Sequence, residues 1–315
     1  MIVVFGSQGQ LGRALEDALG ESPTHVFLHR DSQDYCGDIG NSTGLTETLL
    51  ELRPTIIINA AAYTAVDLAE SEPEKARAIN AQAVGVLAQI TSRLNSLLVH
   101  YSTDYVFDGS KERPWQETDM CDPVSIYGQT KLEGERLIQA SGARHFILRT
   151  SWVYGGIGNN FLKTMLRLAE IREEIQVVDD QWGAPTHADL LAELTLNLIN
   201  ISTPGLGANT SRKPPAWGIY HCASAGSTSW FEYAKLVINT AKSVGAASVC
   251  QRITPIPTKN YPTAAQRPLN SRLDTSKLQK TLGISFPDWR ESVVTTVREI
   301  LSQQHSLDLN HGKSS

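Results

Sequence analysis

The stretch Ile2-Val3-Val4-Phe5-Gly6-Ser7-Gln8-Gly9-Gln10-Leu11-Gly12 decides how the rest of the chain is read. Four apolar residues in a row, three of them β-branched, predict a short strand covered on both faces. After the glycines, Leu11, Ala14, Leu15, Ala18 and Leu19 recur at i, i+3, i+4, i+7 and i+8, the apolar stripe of an amphipathic helix. Glycines between such elements allow a tight turn and close backbone approach, and the helix N-terminus attracts a pyrophosphate. Gly6, Gly9, Gln10, Leu11 and Gly12 are therefore candidate dinucleotide-binding residues. The spacing is G-x-x-G-x-x-G rather than the commoner G-x-G-x-x-G, and a glycine turn can also serve packing alone. Its place between the first strand and a well-formed helix favours the dinucleotide.

Working outward, the same alternation repeats. Ile2–Phe5, His25–Leu28 and residues 55–59, 97–101 and 145–149 read as strands buried on both faces, with helical stretches at 73–94 and 125–140 between them. Strand–helix alternation of this kind predicts an α/β fold with a doubly wound parallel sheet over 1–152. Past residue 152 the rhythm changes. Gly155-Gly156-Ile157-Gly158-Asn159-Asn160 precede a helix, residues 255–262 read as a proline-bearing loop, and 205–215 as a polar surface loop. Residues 153–301 are expected to form a smaller C-terminal α/β substrate lobe, with segments within 184–222 returning to the first domain. The polar tail 302–315 is expected to fray or be disordered.

Of 315 residues, 28 are Lys or Arg and 33 Asp or Glu, giving a formal charge of −5 with no basic footprint for nucleic acid. A chain this long can bury a core without disulfides or a structural metal. Cys36, Cys121, Cys222 and Cys250 show no metal-ligand spacing, which predicts free thiols and a cytoplasmic setting. The N-terminal apolar run lacks a basic leader and reads as a strand, not a signal peptide. No apolar stretch reaches the roughly 20 residues of a membrane helix. His100, His145, His187 and His221 lack metal-like spacing and read as structural.

At the end of the second strand, where a carboxylate often holds the adenosine ribose, stand His29 and Arg30. A guanidinium there can pair with a 2′-phosphate and favour NADPH over NADH, or be a solvated turn charge. Asp38 and Ile39 can flank the adenine, or belong to an ordinary loop. Tyr127 and Lys131 stand four apart on one helix face. A phenol near pKa 10 exchanges protons poorly at neutrality unless its anion is stabilised, and an ammonium one turn away supplies that, besides a ribose contact. A solvated Tyr–Lys pair is the bland alternative. Thr103 belongs at the carboxyl end of the fourth strand, where open α/β sheets bind ligands, and can hydrogen-bond a substrate oxygen beside Tyr127.

Together these residues resemble the extended short-chain dehydrogenase/reductase family, which implies a Rossmann-type fold. Finer segments are similar to the dTDP-4-dehydrorhamnose reductase family: Gly9-Gln10-Leu11-Gly12, Asn59-Ala60-Ala61-Ala62-Tyr63-Thr64-Ala65-Val66-Asp67, Ser102-Thr103-Asp104-Tyr105-Val106-Phe107, Leu148-Arg149-Thr150-Ser151-Trp152-Val153-Tyr154, Gly183-Ala184-Pro185-Thr186 and Arg267-Pro268-Leu269-Asn270-Ser271. The resemblance runs from residue 1 to about 301. It implies reduction of the C4 ketone of dTDP-4-dehydro-β-L-rhamnose with NADPH, the last step of dTDP-L-rhamnose synthesis for bacterial surface polysaccharide. Thr103, Tyr127 and Lys131 match the catalytic threonine, tyrosine and lysine; Ala62, Tyr63, Thr64 and Tyr101 match cofactor contacts; Thr103, Asp104 and Trp152 match substrate contacts. His29 departs from relatives with an acid at that position, leaving NADH open as a cofactor. Some relatives bind Mg²⁺ between subunits through carboxylates; Ala14 stands where one of those acids would be, which counts against the metal. A homodimer stays open.

Asn159-Asn160-Phe161 and Gln181-Trp182-Gly183 are expected to face the sugar nucleotide, with Asn160 a candidate contact. Arg267 and Arg272 are candidate diphosphate partners, or else salt-bridge residues. Two other readings use the same residues. A dehydratase or epimerase of this fold would retain its cofactor, but dehydratases usually follow the threonine with Asp-Glu, and Tyr105 follows Asp104 here. A non-catalytic NADP-binding subunit is the other, since the reductase resembles the β subunit of methionine adenosyltransferase.

Overall fold

The computed structural model describes residues 1–203 and 214–311, with side chains to residue 303; the expected loop at 205–215 lies mostly outside the described residues. Six parallel strands form the main sheet: β1 (Ile2–Phe5), β2 (His25–Leu28), β3 (Ile56–Asn59), β4 (Leu97–Thr103), β5 (Arg144–Thr150) and β6 (Gly218–His221). Their spatial order is β6-β5-β4-β3-β1-β2, so the chain reverses direction across the sheet between β1 and β3. Ligands of open α/β sheets bind at such a reversal, outside the carboxyl ends of the strands. The fold is the Rossmann-type α/β arrangement that the alternation predicts.

Strand periodicity divides the core. Ile2 and Val4 face one side with helix α1 (Gln10–Leu19), while Val3 and Phe5 face the other with Leu45 and Leu49 of α2 (Ser42–Leu52) and Leu87 of α3 (Ala83–Leu94). β2 departs from the expectation of burial on both faces. It is the sheet edge, and His25, Val26 and Phe27 are only partly covered. The predicted helical stretch 73–94 is continuous but contains a π turn at Ala78–Gln82. Beyond it lies α4 (Ile126–Ala140), whose first turn is capped by Ser125, the side chain accepting from Gly128 N.

After β5 the chain builds a second core from α5 (Phe161–Ile171), α7 (Trp230–Ser243) and α8 (Trp289–His311), where Leu162, Tyr233, Val237, Trp289 and Val293 meet. Between them α6 (Ala188–Ser202) goes back to the main sheet and packs with α1, its Leu191, Leu194 and Leu198 filling the face shared with Ile2 and Val4. Pro255 lies in a strand rather than a loop. Arg252–Ile256 pairs with Glu174–Val178 in a two-stranded sheet, where a residue without an N–H is tolerated on the unpaired edge. The last helix continues through His311, so a polar composition alone does not end it.

Candidate active site

A cleft of about 900 Å³ opens above the carboxyl ends of β1, β3 and β4. Its floor is the glycine turn. Gly6 has φ +85°, and a Cβ there would stand 2.7 Å from Ala61 N; at Gly12 a Cβ would stand 2.0 Å from Gly6 O. Both positions therefore require glycine, but for different reasons. Gly6, with Gly9, Gln10 and Leu11, lines the cleft, whereas Gly12 serves the close packing of turn on helix and lines nothing.

His29, Arg30, Asp38 and Ile39 line the same cleft beyond the edge of β1. Asp38 folds back to accept from Gly40 N at 3.0 Å, and His29 Nδ1 accepts from Asp31 N. Arg30 is exposed and makes no ion pair among the described residues. Ala62 and Thr64 form the opposite wall. Tyr63 between them points away: it is buried and its hydroxyl donates to Glu72 Oε2 at 2.7 Å. Asn80 fixes this loop from the π turn. It accepts from Tyr63 N at 2.9 Å and donates to Tyr63 O and to Thr130 Oγ1 on α4.

Thr103, Asp104, Tyr127 and Lys131 converge on one side. Thr103 ends β4 with a buried hydroxyl that donates to Asp104 Oδ1 at 3.0 Å and accepts from Tyr105 N. Tyr127 enters from the first turn of α4, its ring edge-on to Tyr105 at 5.8 Å, and lines the same wall as Thr103. α4 can approach the turn that follows β4 so closely because Gly128 faces Tyr105 O, 2.2 Å from where a Cβ would be. Lys131, one turn on, is 2% exposed and donates to Tyr101 O at 2.6 Å. The Tyr101 side chain lines the cleft, its hydroxyl tied to Thr195 of α6.

Burial governs the protonation of these groups. It pushes the Tyr127 phenol up to about 12, aided by the Asp104 charge and opposed by the Thr103 hydroxyl. The phenol thus sits above its ordinary value, not below it as the i, i+4 lysine suggests, and burial is the main cause. Lys131 is brought down to about 8 by burial, against the pull of Glu135. Asp104 is raised to about 6, again by burial. Tyr127 is therefore protonated at neutral pH and able to give a proton, not take one.

Trp152 roofs the other end. Its backbone is left-handed, φ +46°, and its ring stacks on Trp230 with centroids 3.6 Å apart. Gly183 accommodates that ring, which comes within 2.5 Å of where a Cβ would be. Trp230 lines the cleft too, and nothing in the sequence marks it, since it opens α7 seventy-eight residues after Trp152. Asn160 is not on the cleft wall, although Asn159 is. It caps α5 and donates to Gln10 Oε1 at 2.9 Å, bracing the glycine turn from the second core. Arg267 also stands back, in a two-pronged pair with Asp67 at 2.6 and 3.0 Å. Arg272 is held by Asn270 and the Glu112 carbonyl. In the 181–183 turn, Gln181 supports Trp230 and the exposed Trp182 borders a separate hollow of about 390 Å³. The packing of distant segments, not the turn chemistry, decides these placements.

Among the described residues no group of three or more His, Cys, Asp or Glu side chains is disposed to hold a metal, and no helix is long and apolar enough to cross a membrane. The buried Ala14 on α1 offers no ligand atom.

A dinucleotide-sized cleft at the sheet reversal, with Thr, Tyr and Lys converging beside it, defines a short-chain dehydrogenase/reductase type of oxidoreductase. Comparison with known proteins narrows this. Residues 1–302 match the family model described as RmlD substrate binding domain. The chain is 46% identical to dTDP-4-dehydrorhamnose reductase of Escherichia coli K12, over 96% of this chain and 98% of that protein. The crystal structure of dTDP-4-dehydrorhamnose reductase from Bacillus anthracis in complex with NADP superimposes with TM-score 0.82 at 34% identity, covering 95% of this chain and 98% of that one. A Clostridium acetobutylicum counterpart gives 0.83 at 34% identity, covering 95% and 99%. The chain belongs to the dTDP-4-dehydrorhamnose reductase family.

Proposed function

We propose that the protein reduces the C4 ketone of dTDP-4-dehydro-β-L-rhamnose to dTDP-L-rhamnose, the closing step in making this sugar nucleotide for surface polysaccharide. The observation that carries the reading is the convergence of Thr103, Tyr127 and Lys131 on the cleft floored by the glycine turn. The residues fit NADPH: Gly6 and Gly9 leave backbone bare for a pyrophosphate, and Arg30 has no competing ion pair for a 2′-phosphate. Bound NADPH supplies the hydride for the ketone carbon. NADH fits the same cleft without the Arg30 contact.

The chain's own residues handle the proton. Tyr127 holds its phenolic proton at neutral pH and donates it to the oxygen as charge develops there. Thr103, on the same wall as Tyr127, orients that oxygen. Lys131 lines the cleft, where its N–H would hold a ribose hydroxyl and its charge would offset the phenolate left behind. Trp152, Trp230 and Asp104 bound the pocket for the sugar. A positioned general acid contributes about 10²–10⁴-fold. The division into a dinucleotide domain (1–152, with returns within 184–222) and a substrate lobe (153–301) follows from the same reading. So do a small-molecule partner without nucleic acid, a cytoplasmic setting supported by four unpaired thiols, and a homodimer as the assembly to test by light scattering.

Incubation with the 4-keto sugar nucleotide should consume NADPH one-for-one with product. Turnover of the sugar without net oxidation of added cofactor would replace the reductase by an epimerase or dehydratase. No turnover, with a second protein co-purifying in equal amount, would replace it by the binding subunit.

A further inference from the structure

Beneath Lys131 lies a buried line of polar groups that the reaction above does not use. Asn59 ends β3, His100 lies beside it in register on β4, and the two side chains are 1% and 0% exposed. Ala61 N donates to Asn59 Oδ1 at 3.1 Å. A backbone N–H can only donate, so the carboxamide is held with its oxygen toward Ala61 and its NH₂ toward His100. Asn59 Nδ2 lies 3.1 Å from His100 Nδ1. An amide NH₂ also only donates, so Nδ1 must accept, and the neutral ring carries its hydrogen on Nε2. That nitrogen is 3.2 Å from Lys131 Nζ.

We propose that Asn59 and His100 are positioning residues for the lysine: they hold the imidazole in its Nε2–H tautomer, aim that N–H at Lys131 Nζ, and so make the ammonium easier to deprotonate until a dinucleotide binds. A free amine accepts from His100, donates to Tyr101 O at 2.6 Å and keeps one N–H for the cleft. An ammonium at the same place meets the imidazole donor to donor and forfeits that bond. Burial acts in the same direction, bringing Lys131 to about 8, while Glu135 on the next turn pulls the other way. His100 stays neutral, held well below its ordinary value by burial and by the lysine charge. Tyr101, Asp104, Tyr105 and Tyr127 are the other titratable groups on that wall.

An anionic dinucleotide reverses the balance, because its charge favours the ammonium. Binding then takes up a proton above pH 8. The sign follows: affinity is full below the free-state value of Lys131 and falls as pH rises through about 8. The pH coupling rests on the reductase reading, since it needs the cleft to bind a dinucleotide; the tautomer does not.

The test begins with the full chain labelled with ¹⁵N-histidine, without cofactor, in a two-bond ¹H–¹⁵N correlation spectrum near pH 7.5. His100 is assigned by its disappearance in His100→Gln or, should that variant not fold, as the ring whose pattern changes in Asn59→Asp. The expected pattern is a protonated Nε2 and bare Nδ1; an Nδ1–H ring or an imidazolium overturns the proposal. Asn59→Asp accepts from both Ala61 N–H and His100 Nδ1–H, reversing the tautomer so that Nε2 can accept from Lys131. The pH at which NADPH binding weakens should then rise by about one unit. An unchanged pH overturns the coupling to the lysine. Absence of NADPH binding at any pH would instead refute the reductase reading, and the spectrum alone would still decide the tautomer.

Discussion

Replacing Tyr127 by Phe removes one oxygen from the candidate acid and leaves nearly everything else in place. The ring is partly buried and packs edge-on to Tyr105 at 5.8 Å, a contact that Phe preserves. Even one hydrogen bond lost with the hydroxyl would cost only about 0.5–1.5 kcal/mol in net stability. Against a chain of this size that change leaves the protein folded. The cleft walls proposed to hold the cofactor are the glycine turn, the 60–64 loop and Lys131, so the NADPH dissociation constant should stay within about twofold. The kcat should fall at least about a hundredfold, the lower end of what a positioned general acid contributes. Lys131→Met should do more, weakening NADPH binding as well as turnover. Stopped-flow hydride transfer and fluorescence titration of both variants separate these effects. A Tyr127→Phe protein with near-wild-type kcat would refute the assignment, and one with intact chemistry but weakened NADPH would make Tyr127 a cofactor ligand only.

Three further outcomes follow from the same geometry. Arg30→Ala should raise the NADPH KM about tenfold to a hundredfold and leave NADH unchanged, since a charge-assisted bond to a 2′-phosphate is worth about 1.5–3 kcal/mol; equal loss for both cofactors would make Arg30 structural. Gly6→Ala should destabilise the protein by about 1–3 kcal/mol or more in urea unfolding and abolish NADPH binding, because φ +85° and the Ala61 backbone both exclude a Cβ; a stable, NADPH-binding variant would contradict this. Glu135→Gln should cost about 3–5 kcal/mol, because it strands Arg149, its 2.6 Å partner with both side chains at most 2% exposed; a loss under about 1 kcal/mol would mean the guanidinium finds water or another acceptor.

The parts of the fold that were legible in the sequence depend on local order. The strand–glycine–helix opening, the burial of β1, β3, β4 and β5, the i, i+4 pair Tyr127–Lys131 and the threonine at the end of β4 all follow from periodicity or adjacency. Contacts between distant segments were not legible. His100 reads as a buried histidine without ligand spacing, and its partners Asn59 and Lys131 are 41 and 31 residues away. Asn80 supports the cofactor loop from a π turn that no local pattern announces. Arg267 reads equally as a diphosphate partner or a salt-bridge residue until Asp67, 200 residues earlier, is seen beside it. The edge position of β2 is likewise a property of strand order, and an apolar tetrapeptide reads the same at the edge as in the centre of a sheet.

In the proposed reaction hydride passes from a nicotinamide held beside Tyr127 to the C4 carbon of the sugar. Its most direct test is reduction of dTDP-4-dehydro-β-L-rhamnose with NADPH carrying deuterium at nicotinamide C4, followed by mass spectrometry and ¹H NMR of the product. The expected product is dTDP-L-rhamnose with one deuterium at C4 when the transferred face of the nicotinamide is labelled, and none when the other face is. Product that carries deuterium elsewhere on the ring, or no deuterium from either label, would contradict it.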